Sequence, residues 1–154
     1  WNGPNAERCI KTTLARQIAN WVIIYSPLQM AADLIENYEG HPAFRFFRDF
    51  DADCDWSKAL QGEIGDYIVV ARRAKDRYFL GAGTDEKART LVQKLDFLEP
   101  GVTYTATIYA DAPDAGRNPE AYLIGKRAVT ARDTIRIEMA ERGGQAITFI
   151  PAEK

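Results

Sequence analysis

The sequence has little of the chemistry on which enzymes most often rely. Its single histidine, His41, stands beside Pro42 with no serine or cysteine motif to partner it, so no catalytic role is expected of it. Cysteine is almost as scarce: Cys9 and Cys54 are the only two. One candidate pair leaves both their pairing and the redox compartment open. Excess charge is missing too, since 20 Lys and Arg face 22 Asp and Glu for a formal net charge of −2. Such a chain has no basic field to draw in nucleic acid. Long apolar runs are absent; the greasiest stretch, Trp21–Tyr25, falls far short of the roughly 18 residues of a membrane span. Neither nucleic acid nor a membrane is therefore expected as a partner. The chain also lacks an initiating Met and a signal-peptide pattern, beginning instead Trp1-Asn2-Gly3-Pro4. That suggests a processed product or a piece of something longer.

What the sequence does have is strand. Two apolar runs, Tyr67–Ala71 and Tyr78–Ala82, flank the polar stretch Arg72–Arg77, and β-branched and aromatic residues crowd both, as in a hairpin. The first run is apolar on both of its alternating faces, which places it centrally in a sheet covered above and below. Further strands are expected over Ser57–Glu63, Lys87–Leu95, Val102–Asp111, Tyr122–Thr130, Thr134–Met139 and Gln145–Ile150. In Val102–Asp111 the residues Val102, Tyr104, Ala106, Ile108 and Ala110 point one way, and Thr103, Thr105, Thr107 and Tyr109 the other. Val69, Ile108 and Ile137 are expected inside, with Thr105 and Thr107 outward. About eight short strands at this spacing predict a mainly β fold, an antiparallel two-sheet sandwich.

The first third reads differently. Thr12 or Thr13 can cap a helix running to Ser26, stopped by Pro27. Leu14, Ile18, Trp21, Val22 and Tyr25 share one face of it, while Ala19, Ile23 and Ile24 extend the apolar surface around its last turns. That demands burial on several sides. Leu28–Ala32 reads as a short buried strand ending at Asp33, and Pro42–Phe50 as a second short amphipathic helix bearing Phe44, Phe46 and Phe47. The boundary is expected at the acidic stretch Asp49–Asp55, which divides residues 1–50 from a sandwich over 51–154.

Few residues invite a chemical reading. The alternating Asp49, Asp51, Asp53 and Asp55 resemble the start of a calcium loop but lack its glycine and terminal glutamate; a solvated acidic linker explains them more simply. Asp111 and Asp114 in the loop Asp111–Pro119 offer calcium ligands, yet aspartate, proline and glycine are also plain turn residues. Gly81-Ala82-Gly83 ends a strand without opening a helix, so it is not a phosphate loop. Trp56, Tyr109 and Tyr122 are the aromatics that a sugar-binding surface would use, and core packing is their plainer reading.

Two stretches together resemble a known family. KTTLARQIANWVIIYSPLQMAADLIENY followed by HPAFRFFRDF is similar to the last segment of the catalytic barrel of glycoside hydrolase family 97. Asp55-Trp56 followed by LQGEIGDYIVVARR, DRYFLGAG, ARTLVQKLDFL and YTATIYAD resembles that family's C-terminal β-sandwich. VTARDTIRIEMAERGGQAITFIPA is similar to its closing hairpin. The resemblance runs from about Thr12 to Pro151. It implies a calcium-dependent α-glycosidase, an α-glucosidase or α-galactosidase, built from an N-terminal β-supersandwich, a (β/α)8 barrel and this sandwich, and periplasmic or secreted.

The resemblance carries no catalytic or metal-binding residue onto this chain, because the family's carboxylates and calcium ligands lie upstream of the matched stretches. Residues 1–50 would be a helix–strand–helix remnant of the barrel, with Asp33 at the C-terminal end of its last strand, the face where barrel active sites form. Asp33 would there either border the sugar pocket or cap the following loop. No cofactor is expected in this chain, and calcium only in the complete enzyme. The expected function is that of a structural C-terminal piece whose partner is the rest of the glycosidase. The alternative is a stand-alone carbohydrate-binding module, which would have no use for the apolar segment Thr12–Asp33. Cut from its barrel, that segment is expected to pair with the same segment of a second copy or to be disordered, since uncovered Leu14, Ile18, Trp21, Val22, Ile24 and Leu28 would make too large an apolar patch.

Overall fold

The structure, a computed structural model, describes residues 11–31 and 35–152. Among the described residues, eight antiparallel strands follow four helical elements, three α-helices and a 3-10 turn. They are β1 (Trp56–Glu63), β2 (Tyr67–Ala74), β3 (Arg77–Thr84), β4 (Arg89–Lys94), β5 (Tyr104–Asp111), β6 (Tyr122–Val129), β7 (Thr134–Met139) and β8 (Gly144–Pro151). One sheet has six strands in the order β1-β2-β3-β8-β5-β6, and β4 pairs with β7 in a second, smaller sheet. The hairpin β2–β3 turns at Lys75, whose φ of 58° is the left-handed value such a tight turn needs. β3 and β8 lie at the centre, and from Tyr78 to Thr84 every residue of β3 is buried.

The large sheet is covered on both faces by different partners. On one face Val69, Leu80, Ala82, Tyr104, Ala106, Ile147 and Phe149 pack against Ile135, Ile137 and Met139 of β7, with Leu95 and Leu98 closing the layer. This is the expected sandwich. On the other face Phe79, Tyr109 and Ala146 meet Ile18, Ala19 and Val22 of helix α1 (Leu14–Ile23), together with Phe46. Phe46 belongs to α3 (Arg45–Asp49), which follows α2 (Ile35–Tyr38) and the 3-10 turn Pro42–Phe44.

That second layer corrects several expectations. The alternation along β5 is as read, but its supposed outward face is not in water: Thr107 is 6% exposed and Tyr109 fully buried, because the helical layer of α1 and α3 packs on that side of the sheet. Ile108 is only half-buried. The helix does not reach Ser26 but ends at Ile23. Residues 28–31 form no strand; they are irregular, with Leu28 and Met30 exposed. An extended segment needs a hydrogen-bonded neighbour to become a strand, and residues 28–31 pair with none of the described strands. The second expected helix divides into the 3-10 turn and α3, with His41 as the cap: its Nδ1 accepts a hydrogen bond from the Ala43 N–H at 3.3 Å. Most of the helix face expected to lie bare is covered by the chain's own sandwich, Ile18 and Val22 being 3% and 0% exposed.

Candidate functional site

The side chains with the most specific surroundings are those that seat helix α1 on the sheet. Thr13 caps the helix, its hydroxyl accepting from the Arg16 N–H at 3.1 Å, and the Leu14 N–H donates to the Pro119 carbonyl at 2.8 Å. The loop after β5 thus satisfies one of the donors that a helix start leaves open. Beneath the helix the sheet is stripped of side chains: Gly83 pairs with Gly144 across β3 and β8, and Gly81 with Ala146. A Cβ on Gly81 would stand 2.6 Å from the Ala19 carbonyl oxygen, and one on Gly144 would stand 2.8 Å from Arg16 Cα. Gly81-Ala82-Gly83, unsuited to phosphate, is the trough in which the helix backbone lies.

Two arginines fasten the ends. Arg16 donates from Nε to Asn20 Oδ1 at 2.9 Å and from Nη1 to the Thr84 carbonyl at 2.9 Å. Arg72, on β2, donates from Nε to the Val22 carbonyl at 2.5 Å and from Nη2 to the Ile23 carbonyl at 3.4 Å. A cation on the last carbonyls of a helix complements its negative end. The Arg72 guanidinium also lies over the Tyr25 ring, 4.9 Å from its centroid. Burial lowers both guanidinium pKa values, offset for Arg16 by Asp111 and for Arg72 by Cys54 and Tyr25.

Asp111 completes the clamp. Its Oδ2 accepts from the Ala140 and Gly144 N–H groups at 2.9 and 3.0 Å, and Thr13 lies close enough to its carboxylate to favour the charged form. Burial raises its pKa, against those hydrogen bonds and the Arg16 charge. Its Oδ1 is buried and has no hydrogen-bond partner among the described residues. Asp111 therefore serves the helix seat and does not join Asp114 in a calcium loop.

The acidic stretch is likewise engaged and not merely solvated. Asp49 pairs with Arg45 at 2.9 Å, Asp51 with Lys75 at 3.2 Å, and Asp55 with Arg73 at 3.0 Å. Calcium takes six to eight oxygen ligands converging on one point, and no cluster of three or more metal-ligating side chains occurs among the described residues. The described residues do not fit a calcium site. Cys54 packs beside the second core, its Sγ donating to the Asp51 carbonyl at 3.2 Å, and burial raises its pKa. Asp33 and Cys9 lie outside the described residues.

An open groove of about 520 Å³ runs along the β1–β2 turn, lined by Gln61, Glu63, Asp66, Tyr67 and Asp85 among others. Arg89 ties Asp66 and Asp85 together, and its hydrogen bond lowers the Asp85 pKa. Of the three aromatics, Tyr109 is fully buried, with its pKa pushed up to about 12 by burial. Tyr122 lies against the His41 ring at 5.3 Å. Trp56 borders a shallow hollow of about 340 Å³ with Tyr25 and Arg72.

What remains exposed is the strip after the helix: Ile24, Tyr25, Leu28, Met30 and Ile35 are 53–80% exposed. The trough and the arginines were not identified from the sequence. Their one local signal is Arg72, which with Arg73 places a cation pair inside strand β2.

Comparison with known proteins agrees with this architecture. Residues 53–150 match the family model described as glycosyl-hydrolase 97 C-terminal, oligomerisation. A retaining alpha-galactosidase from Bacteroides thetaiotaomicron is 32% identical over 136 residues, covering 88% of this chain but 20% of that protein. Structures of a glycoside hydrolase family 97 enzyme from Pseudoalteromonas sp. strain K8, among them its complex with acarbose, superpose with a TM-score of 0.88 at 46% identity, covering 93% of this chain and 23% of theirs. The chain thus spans less than a quarter of the length of these relatives. It belongs to the glycosyl-hydrolase 97 C-terminal family.

Proposed function

We propose that the chain is the structural C-terminal part of a calcium-dependent α-glycosidase acting on α-glucosides or α-galactosides, and that it is inert by itself. Its sandwich holds helix α1 as a helix from the closing segment of the catalytic barrel. The strip from Ile24 to Ile35 is then the surface that the rest of the enzyme covers, in a periplasmic or secreted protein. The observation carrying this reading is the asymmetry of the first layer: one side of the helix is sealed in the glycine trough, while the segment leaving it presents large apolar side chains to water. Asp33, in that segment, would border the sugar pocket or cap the following loop. Calcium would be held by residues upstream of this chain. The purified chain is expected to leave p-nitrophenyl α-glucoside and α-galactoside intact, with or without calcium. Turnover that follows the chain through purification and persists after removal of contaminants would overturn the proposal.

The second reading, a sugar-binding module, has one observation in its favour: Trp56, Tyr25 and Arg72 border one hollow. Aromatics beside polar groups suit a sugar ring. Affinity electrophoresis on starch and galactomannan separates the two, since retardation abolished by Trp56→Ala would favour the module. If the strip served self-association instead, as the sequence also suggested, Leu28→Lys would make a dimeric chain monomeric.

A further inference from the structure

The six-stranded sheet has two edges, and they differ. At one, β1 carries an irregularity between Ala59 and Gln61 where it meets β2, and a bulge of that kind twists an edge away from further pairing. At the other, β6 keeps an unbroken one-to-one register with β5 from Tyr122 to Val129. No strand pairs with its outer side among the described residues. Residues 123–128 are exposed on both faces of the strand, including Leu123 and Ile124. The sheet's faces are already taken by β7 and helix α1.

We infer that β6 is a self-pairing edge, along which two copies of this chain join their large sheets antiparallel about a two-fold axis at Gly125. The inference rests on the oligomerisation that the family description names, and adds the surface that performs it. A register centred on Gly125 sets Ile124 opposite the partner's Lys126 and Leu123 opposite the partner's Arg127. The aliphatic stems of those cations cover the apolar side chains, and no like charges face each other. Moving the axis to Lys126 would set lysine against lysine, which is unfavourable across strands. Moving it to Ile124 would shorten the pairing. At the axis a residue meets its own copy, and a Cβ on Gly125 has nothing within 4 Å in one chain.

The test is made on the whole 154-residue chain with Cys9 and Cys54 replaced by alanine and its far-UV circular dichroism unchanged. Light scattering after size exclusion is expected to give a dimer. Gly125→Cys is expected to cross-link it under mild copper–phenanthroline oxidation, whereas Met30→Cys is not, and Ile124→Lys is expected to make it monomeric. A dimer that cross-links through Met30→Cys and not Gly125→Cys, or that withstands Ile124→Lys, overturns the β6 surface and leaves oligomerisation standing. A monomer at every concentration overturns oligomerisation by this chain, and the inference with it.

Discussion

Gly81 lies directly beneath Ala19: a Cβ added to the glycine would stand 2.6 Å from the alanine carbonyl oxygen and 2.8 Å from Val22 Cβ. Backbone meets backbone there, across more than sixty positions of sequence, and neither side can yield cheaply. The contact joins the helical segment and the sandwich into one packed unit, so stability depends on it.

Gly81→Ala should therefore destabilise the chain by about 1–3 kcal/mol, the usual cost of overpacking a filled core. Gly116→Ala, with nothing within 4 Å of the added carbon, should change stability by less than about 0.5 kcal/mol. Urea midpoints of the two variants check the contrast. Equal midpoints would mean that the helix is not seated in the trough.

Arg72 holds the last carbonyls of the helix. Arg72→Met keeps much of the stem and removes the donors, leaving the Val22 and Ile23 carbonyls without them. Hydrogen bonds to a charged group are worth about 1.5–3 kcal/mol, and a loss of that order is expected. Hydrogen exchange should quicken in Leu14–Ile24 well before it does in β3. Uniform acceleration throughout the chain would show that the arginine does not act on the helix.

Asp111 supplies a pH dependence of stability whose sign is fixed by its surroundings. Its folded pKa is raised, chiefly by burial, so the native state binds its proton more tightly than the unfolded chain does. The stability that this contributes is fully present below the ordinary carboxylate value, about 3.9. It is lost as pH rises through the raised folded value. Asp111→Asn retains an oxygen for the Ala140 and Gly144 N–H groups and carries no charge. Relative to that variant, the wild type should lose stability as pH rises from about 4 and level off once Asp111 is ionised. Urea midpoints from pH 3 to 8 measure the difference, and a wild type that gains on the variant over that range would reverse the assignment.

The strip beyond the helix should behave oppositely to the trough. Leu28→Ser with Met30→Ser replaces side chains that are 73% and 80% exposed, so the stability of the isolated chain should move by less than about 0.5 kcal/mol per site. Binding of an apolar dye such as ANS should fall. A large loss of stability would place these residues in a core.

The strands were legible because their signal is local. Alternation over six to eight residues, closed by turns such as Gly143-Gly144, marks a strand wherever it later packs, and the eight expected strands are found with ends shifted by three positions at most, the largest shift being β2, which runs on through Arg72–Ala74. Faces were less legible. Thr107 reads as an outward residue from its own strand, and becomes buried because a helix from another part of the chain covers it. The acidic stretch reads as solvated because Lys75 and Arg73, its partners, lie some twenty positions away.

By itself, then, the sequence determined the β class, the strand order along the chain and the change of character near Asp49–Asp55, since each depends on residues near one another in the chain. Tertiary structure alone decided the seat of helix α1. Gly83 and Gly144 make a trough only when β3 and β8 pair in that register, and Arg72 caps a helix only when the helix has come down upon it. It also decided which apolar residues are left in water: Ile18 and Val22 enter the trough, whereas Leu28 and Met30, beyond the helix end, lie past the face that the sheet covers.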